Sequence, residues 1–473
     1  SFNMKYPYVL TTALGFLTLT LAMVLWVVMT LEMKHLEPPA LTEGSKLADV
    51  FSRPPAPSYL RLYVFNISNH NVWMKNRASK AALNELGPYV FRMNTTRSLH
   101  WSGDTLKFAE KTHYYFEANE SNGTLDDVIT TVDFSALLFS SKLKMTRLEE
   151  SVFLNVSIRE YFFDGFGNAS GQNWMLANKE RFSWFGRKNS TLDMANFTVH
   201  TKPGFVNEII SVDDNTRLPN FNFLCGNLVG KIAGTSLLPA FSEPPATVEV
   251  YEPTLCVPRK LYLQQQYNFG YEPIARFVGS RDFLHATPET CKGIRPTGIN
   301  GTFDASACYR NSIGDFLPAV LSFPRFLHGS IELHSNIGGL KQNEFYIDVH
   351  APSGIAIDMK LHVQVNVMIL PFRNESQPEV LYPVFWQEIS RRPEDKKAMV
   401  VAAKAWRFFG GWVAAACGVC LVAAALLFGA SVALLGPFNC SDCEEDQLPH
   451  TPDDIPTEVT IWLFIGHFNY LLL

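Results

Sequence analysis

The sequence lacks the charge pattern of a nucleic-acid-binding protein. Its 473 residues carry a formal net charge of only −5, and no block of Lys and Arg interleaved with aromatic residues occurs among them. Affinity for nucleic acid depends on clustered cations that neutralise phosphates. The composition therefore excludes nucleic acid as a partner.

Short motifs of common catalytic and metal sites are also missing. Neither H-E-x-x-H nor G-x-S-x-G is present, and none of the 12 histidines falls in a metal-ligand spacing. The segment GNLVGK at 226–231 has one residue too few between its glycines for a phosphate loop, and SVDDNTR at 211–217 lacks the glycine and distal glutamate of a calcium loop. We therefore expect a protein that is not an enzyme and uses no cofactor or metal.

Two long apolar runs lie near the ends of the chain. Residues 8–31 and 408–435 are each uncharged for more than 20 residues, and about 20 helical residues cross a bilayer core. Each run is predicted to be a transmembrane helix. A cleaved signal peptide is the alternative for the first run, but that run exceeds the roughly 7–15 apolar residues of a signal peptide and shows no A-x-A-like cleavage site.

Glycosylation signals and cysteines predict that residues 32–407 form one exoplasmic ectodomain, with 1–7 and 436–473 as cytoplasmic tails. Its four cysteines, confined to 225–308, fit two disulfides better than a metal site, and spacing leaves all three pairings open. Ten scattered N-x-S/T sequons indicate a glycosylated surface. The predicted sites are Asn66, Asn94, Asn119, Asn122, Asn155, Asn168, Asn189, Asn196, Asn300 and Asn374.

One charge pattern disagrees with this topology. Basic residues precede the second apolar run and acidic residues follow it, so the positive-inside rule applied to that run alone would put the middle region in the cytosol. A first span can set the orientation that later spans follow. We therefore give more weight to the sequons and cysteines.

The most regular pattern in the ectodomain covers residues 355–370. Odd positions are apolar and most even positions are polar, which is typical of a strand with one dry and one wet face. The strand is about twice the common length, so it predicts a large antiparallel sheet or barrel. The predicted dry face includes Ile357, Met359, Leu361, Val363, Val365 and Val367. The predicted solvent face includes Asp358, Lys360, His362, Gln364 and Asn366.

Further strands are predicted at 58–68, 105–116 and 381–389. In the first of these, Asn66 shares parity with the apolar positions although a glycan must face solvent. A bulge or strand end near Phe65 would resolve that conflict.

Other segments are less regular. Gly87–Pro88 predicts a turn, residues 126–145 are predicted helical, and 149–165 mixes helix and strand signals. The predicted helix carries Lys142 and Lys144, with Arg147 just after it. These three are either a solvated basic edge or a basic entrance for anionic ligands.

Cys440 and Cys443 follow the second apolar run directly. Cysteines that close to a membrane are candidates for S-acylation. Neither residue bears on ligand recognition.

Several segments, in their order between two terminal spans, resemble the class B scavenger receptor family, which includes the fatty-acid translocase, the lysosomal integral membrane protein and insect sensory neuron membrane proteins. The resemblance covers nearly the whole chain. It depends on LGPYVFR at 86–92, SIREYFFDG at 157–165, SFPRFLHGS at 322–330, SGIAIDMKLHVQVNVMI at 353–369, and Pro383, Trp386 and Glu388.

This resemblance implies a mainly β fold with some α: an antiparallel β-barrel ectodomain, an apical helical bundle at about 126–165, and an apolar tunnel with the dry face of 355–370 as one wall. Lys142 and Lys144 would then contact ligand at the apex. The family pairing, carried onto this sequence, joins Cys225 to Cys291 and Cys256 to Cys308.

The implied function is a plasma-membrane receptor that captures fatty acids, sterols, carotenoids or lipoprotein lipids and passes them to the bilayer. An adhesion or lysosomal cargo receptor, binding a protein at the apex and located in endosomes or lysosomes, is the alternative. A two-span ligand-gated channel is a third hypothesis. It fits poorly, because such channels have more ectodomain cysteines and more polar spans.

Overall fold

The structure is a computed structural model. It describes residues 40–76, 79–134, 152–166, 183–185, 191–219, 221, 223–285, 299–308, 318–329, 345–369, 380–404 and 418–427, together with residues 13, 15, 17–24, 27 and 430.

Strands dominate the described part of the chain, and the prediction of a mainly β fold is confirmed. The strands are β1 (Ser58–Ile67), β2 (Leu83–Ser102), β3 (Thr105–Phe116), β4 (Val128–Val132), β5 (Phe153–Ser157), β6 (Thr191–His200), β7 (Ile209–Val212), β8 (Ile232–Ala233), β9 (Thr247–Tyr251), β10 (Arg259–Phe269), β11 (Glu272–Gly279), β12 (Thr302–Asp304), β13 (Ala319–Ser322), β14 (Tyr346–His350), β15 (Ala356–Ile369) and β16 (Val380–Ser390). The α-helices described between residues 40 and 404 include α1 (Lys46–Ser52), α2 (His70–Lys75), α3 (Phe223–Gly226) and α4 (Pro393–Lys404).

Fourteen strands form one sheet in the order β7-β6-β3-β2-β1-β16-β15-β14-β11-β10-β9-β8, with β12 and β13 attached to β15. Pairing in this sheet is antiparallel except between β8 and β9. The two ends of the order also meet: Glu208 bridges Ile232, and the Ile209 amide donates to the Lys231 carbonyl at 2.7 Å. The sheet is therefore nearly closed and barrel-like. β4 and β5 form a separate pair.

The strands predicted at 58–68, 105–116, 355–370 and 381–389 are confirmed as β1, β3, β15 and β16. The turn predicted at Gly87–Pro88 is wrong, because both residues lie inside β2. Pairing of β1 with β2 shifts register between Leu62 and Val64, where β2 contains one residue more than β1. Gly87 has φ of 120°, and a Cβ there would lie 2.5 Å from the Leu62 carbonyl oxygen. The pair forms a bulge, as Gly and Pro often do inside strands.

The predicted bulge near Phe65 is thus found slightly earlier, between Leu62 and Val64. Val64 and Phe65 are both buried, and Asn66 is half-buried. The Asn66 Oδ1 accepts a hydrogen bond from the Thr130 amide at 2.8 Å.

The helix predicted over 126–145 is wrong for residues 128–132, which form strand β4; Phe134 is helical, and residues 135–145 lie outside the described residues. VITTV is rich in β-branched residues and pairs along its whole length with β5. The mixed signals of 149–165 have a structural counterpart. β5 is followed by a π-helical turn at Glu160–Asp164 that buries Tyr161, Phe162 and Phe163.

The predicted solvent face of β15 is wrong. Asp358, His362, Gln364 and Asn366 are at most 1% exposed, and Lys360 is half-buried. The alternation correctly separates two faces, but both faces are covered. The even-numbered face is covered by protein, and most of its polar atoms have partners there, although Asp358 Oδ1 and His362 Nδ1 are buried without a hydrogen bond.

Three groups of contacts pair the other polar atoms of this face. Asp358 accepts from Tyr346 at 2.9 Å and pairs with Lys396 of α4 at 2.5 Å. Asn366 accepts from the Gln364 amide at 2.7 Å and donates to Ser322 at 2.9 Å and to the Val320 carbonyl at 3.0 Å.

The third group is a row across β15, β16 and β1. His362 Nε2 lies 2.9 Å from Glu388 Oε2, and Arg61 Nη1 lies 3.3 Å from Glu388 Oε1. Although burial opposes ionisation, the hydrogen bond from His362 and the charge of Lys360 lower the pKa of Glu388 to about 2. Trp386, stacked on Tyr63 at 3.8 Å, lies beside this row.

The opposite face of β15 contributes to a large apolar core rich in aromatic rings. Val365 and Phe385 share this core with Phe162 and Phe185. Phe162 lies 5.1 Å from Phe385 and 5.7 Å from Phe185, measured between ring centroids. Aromatic side chains therefore fill the interior of the sheet at this level.

The chain divides into two units, Met29–Trp412 and a second that joins Ser1–Val28 to Val413–Leu473. In the second unit, helical residues such as Leu17 and Leu426 are exposed, whereas Ala22 and Ala424 are 1% exposed. No helix in the described parts of the chain has the length and apolarity needed to span a membrane. The transmembrane helices at 8–31 and 408–435 stay predictions.

We predict that Glu388→Gln destabilises the protein in a pH-dependent manner. The folded-state pKa of Glu388 is about 2 against an ordinary value of 4.5, so its carboxylate stabilises the fold above pH 4.5, and this contribution is lost as the pH falls toward 2. The expected loss in the free energy of unfolding is on the order of 2–3 kcal/mol at pH 7. Urea denaturation at several pH values measures it.

The matched control is Glu394→Gln, which removes the same charge from an exposed position of α4. It should change the free energy of unfolding by less than about 0.5 kcal/mol. An equal loss for both variants, or a loss at Glu388 that does not shrink at low pH, would contradict the assignment.

Candidate ligand cavity

A cavity of about 450 Å³ lies inside the sheet, at the end where β1 begins and β16 ends. Strands β2, β3, β6, β15 and β16 and the segment 233–236 contribute to its wall. One side of the lining is apolar and includes Phe108, Phe197, Met359 and Leu361. Cavities of about 300–1,000 Å³ are the usual size for small-molecule ligands.

The other side of the cavity is charged. Arg97 pairs with Glu110 at 2.7 Å, donates to the Phe51 carbonyl and to Ser236, and stands over the Phe51 ring. Arg391 donates to the Ala356 carbonyl at 2.9 Å. Both arginines line the cavity.

Burial changes the ionisation of two groups in this lining. It raises the pKa of Glu252 to about 7, and Glu110 adds to the rise while Arg97 opposes it. Burial lowers the pKa of Arg391 to about 10. Near neutral pH the arginine is therefore charged, and Glu252 holds a proton more readily than an exposed glutamate does.

Such a cavity can hold an amphiphile, because an apolar wall suits a hydrocarbon and a charged wall suits a polar head. Of the six residues predicted to form a tunnel wall, Met359 and Leu361 line the cavity. Ile357 packs in a separate apolar cluster with α1 and α4. The other three, Val363, Val365 and Val367, are buried in the aromatic-rich core.

The charged half of the cavity was not predicted from sequence. For Arg97 the strand pattern gives a signal. Arg97 lies on the less exposed face of β2, the face it shares with Met93, Thr95, Leu99 and Trp101. An arginine at such a position points inward. Arg391 stands beside Arg392 among the basic residues that precede the second apolar run, and no local pattern distinguishes it from them.

The predicted apical ligands Lys142, Lys144 and Arg147 lie outside the described residues, as do the S-acylation candidates Cys440 and Cys443. Of the cysteines, Cys256 and Cys308 form a disulfide, the pairing that the resemblance implies. Cys225 is also disulfide-bonded. Its predicted partner Cys291 lies outside the described residues, so that pairing stays a prediction.

Seven of the ten predicted glycosylation sites are described. Asn66 and Asn94 are half-buried, and Asn94 borders the cavity. Asn168, Asn189 and Asn374 lie outside the described residues. The exposed sites are Asn119, Asn122, Asn155, Asn196 and Asn300.

Comparison with known proteins identifies the family. A family model described as the CD36 family matches residues 10–432. The chain is 27% identical over 426 residues to scavenger receptor class B member 1 of Bos taurus, covering 82% of each chain. It is 24% identical over 415 residues to sensory neuron membrane protein 2 of Heliothis virescens, covering 74% of this chain and 78% of that protein.

Lysosome membrane protein 2 of Mus musculus is 22% identical over 357 residues, which cover 70% of this chain and 73% of that protein. The family match spans nearly the whole sequence. The resemblance drawn from the sequence motifs is therefore confirmed. This chain belongs to the CD36 family, the family of class B scavenger receptors and related membrane proteins.

Proposed function

We propose that this membrane protein is a lipid receptor, which captures lipids or lipoprotein particles at the apex of its ectodomain and passes lipid through the ectodomain to the bilayer. The observation that carries the proposal is the cavity of about 450 Å³ with its apolar wall of Phe108, Phe197, Met359 and Leu361. A lipid that moves between apolar surroundings avoids a cost of about 0.8 kcal/mol for each exposed CH₂ group.

The position of the cavity suits delivery of lipid to the bilayer rather than capture of lipid at the apex. It lies at the end of the sheet where β1 begins and β16 ends, and these strand ends are the ones nearest in sequence to the predicted spans. The aromatic rings around Phe162, Phe185 and Phe385 fill the interior farther along the sheet. Lipid arriving from an apical entrance would therefore have to displace some of these rings.

The proposed topology places residues 32–407 on the exoplasmic side, with both termini in the cytosol and the plasma membrane as the site of action. Exposed sequons on separate parts of the fold, including Asn119 and Asn196, support it. The disulfide between Cys256 and Cys308 supports it as well, because disulfides persist in oxidising compartments.

We predict that the full-length protein, incubated with vesicles that contain isotope-labelled lipid and then re-isolated, retains labelled lipid detectable by mass spectrometry. Met359→Trp should reduce the retained amount by at least about twofold, because a larger ring at this position takes up cavity volume. The control is Met368→Trp on the same strand, at a position outside the cavity lining. The proposal would be contradicted if the wild-type protein retained no labelled lipid. It would also be contradicted if the Met359→Trp and Met368→Trp variants retained equal amounts.

We also predict N-glycans on the exposed sequons and none on Asn66. The Asn66 side chain is half-buried and hydrogen-bonded to the Thr130 amide, and a bulky glycan requires a surface position. Enzymatic deglycosylation in heavy-oxygen water, followed by peptide mass spectrometry, reports occupancy site by site. Absence of glycan from Asn119, Asn122, Asn155, Asn196 and Asn300 together would overturn the exoplasmic topology.

A further inference from the structure

Two loops of the sheet present aromatic rings to solvent. Tyr271, in the two-residue loop between β10 and β11, is 96% exposed. Phe205, in the loop between β6 and β7, is 56% exposed. A single exposed ring on a protein surface needs no explanation. These two matter because of where they lie.

The Phe205 loop is held firmly to the sheet. Asn207 is fully buried, and its side-chain amide donates to the Ala233 and Leu237 carbonyls at 2.7 and 2.8 Å. Lys202 pairs with Asp104, in the turn between β2 and β3, at 3.0 Å. The loop is therefore anchored at both of its ends, and Phe205 lies outside these anchors.

The Tyr271 loop closes without any contribution from the tyrosine ring. Phe269 and Glu272 pair across it, and Gly270 has φ of 66°. A glycine in the first position suits a tight two-residue hairpin loop, and the second position sets no demand for an aromatic residue. A ring that is 96% exposed adds almost nothing to the packing of the fold.

Antiparallel pairing puts both loops at the end of the sheet where β1 begins and β16 ends. From β1 the alternation passes through β2 and β3 to β6, which therefore ends there. From β16 it passes through β15 and β14 to β11, which therefore begins there. β6 is the third strand beyond β1 on one side, and β11 is the third beyond β16 on the other. The two loops thus flank the point where the chain enters and leaves the sheet.

The packing agrees with this placement. One apolar cluster contains Phe51 of α1, Val400 of α4 and Val206, which follows Phe205 in the chain. Phe269, beside the Tyr271 loop, packs against the same cluster. Both aromatic loops therefore border the helices that precede β1 and follow β16.

The chain continues from this end toward the second predicted span. α4 ends at Lys404, and that span is predicted to begin at residue 408. Four residues reach at most about 14 Å, which places the end of α4 close to the bilayer surface in the proposed topology. Val401, in the last turn of α4, is 63% exposed. It adds a third exposed apolar side chain to this end.

We propose that Phe205, Tyr271 and Val401 dock the ectodomain on the outer leaflet of the membrane that carries the predicted spans. This inference rests on the topology of the proposed function. Tyrosine is enriched at bilayer interfaces, because its ring is apolar and its hydroxyl is polar. Three contacts that flank the exit of the chain define a plane. They hold the cavity end of the sheet toward the lipid that it serves.

The contact is apolar and does not depend on anionic lipid. Lys202, the cation in the Phe205 loop, is already paired with Asp104. Glu272, the acidic neighbour of Tyr271, is buried and hydrogen-bonded to His350. Neither loop therefore offers a free charge of its own to a head group, and a zwitterionic bilayer suffices as the partner.

The test measures the position of fluorophores on the full-length protein in phosphatidylcholine vesicles. Phe205→Cys and Tyr271→Cys each carry an environment-sensitive label, and lipids with a nitroxide on the head group quench labels at the interface. Both labels should be quenched at least about threefold more than a Tyr262→Cys label, because interfacial side chains lie within about 5–10 Å of the head groups. Labelled wild-type protein supplies the background from native cysteines.

Tyr262 is the matched control. It is an exposed tyrosine on β10, seven residues before the end of that strand, and therefore about 23 Å from the loop. Equal quenching of the Tyr271 and Tyr262 labels would overturn the docking. Quenching that requires anionic lipid and disappears at high salt would overturn the assignment to apolar side chains.

A label that replaces neither ring tests whether the rings cause the contact. Ser102→Cys places it at the exposed last residue of β2, at the same end of the sheet. Phe205→Ser combined with Tyr271→Ser should reduce its quenching at least about twofold, whereas Tyr262→Ser should leave it unchanged. All three side chains are exposed, so their removal spares the core. Unchanged quenching in the double variant would overturn the role of the rings.

The outcomes separate this inference from the proposed function. A protein that retains labelled lipid but shows no quenching at Phe205 and Tyr271 is a lipid receptor that does not dock in this way. Quenching without lipid retention supports the docking and defeats the lipid receptor. Release of the protein from vesicles by alkaline extraction would overturn the proposed topology and the docking together.

Discussion

The burial of β15 on both of its faces is the constraint on which the rest of this fold depends. β15 pairs with β16 on one side and with β14 and β13 on the other. It therefore joins the strands from β16 to β7 to the strands from β14 to β8. Burying its polar side chains is costly unless each has a partner, and Glu388, Lys396 and Ser322 supply one each to His362, Asp358 and Asn366. A shift by one residue would exchange the two faces and leave these groups unpaired. Polar satisfaction therefore fixes the register of the strand around which the sheet is built.

The main architecture could be predicted from sequence because period-two patterning reports local strand geometry. It located β15, β16, β1 and β3 with small errors. The same pattern does not reveal what covers each face, which is why Asp358 and His362 were expected in solvent and are buried. The polarity of a side chain indicates that it needs a partner, and that partner is protein as readily as water.

Other features depended on contacts distant in sequence. Gly87–Pro88 has the composition of a turn and forms a bulge because β1 continues beside it. Residues 128–132 form a strand because β5 is available to pair with them. The cavity is the extreme case: its charged lining comes from β2, β3 and the residues directly after β9 and β16, and no local pattern links Arg97 to Arg391. Parity within β2 carries a signal for Arg97 alone, and only the closed sheet brings the two arginines to one cavity.

The contact between the terminal strands β7 and β8 affects how one molecule of the protein can pair with another. An open sheet presents two edge strands whose free amides and carbonyls can pair with another molecule, and long apolar edges are sites of aggregation. Here the outermost strands are four and two residues long, and they hydrogen-bond to each other through Ile209, Lys231 and Gly230. Within the described sheet this junction leaves little free backbone. The closure of the sheet therefore leaves few free strand edges through which two copies of the protein could exchange strands.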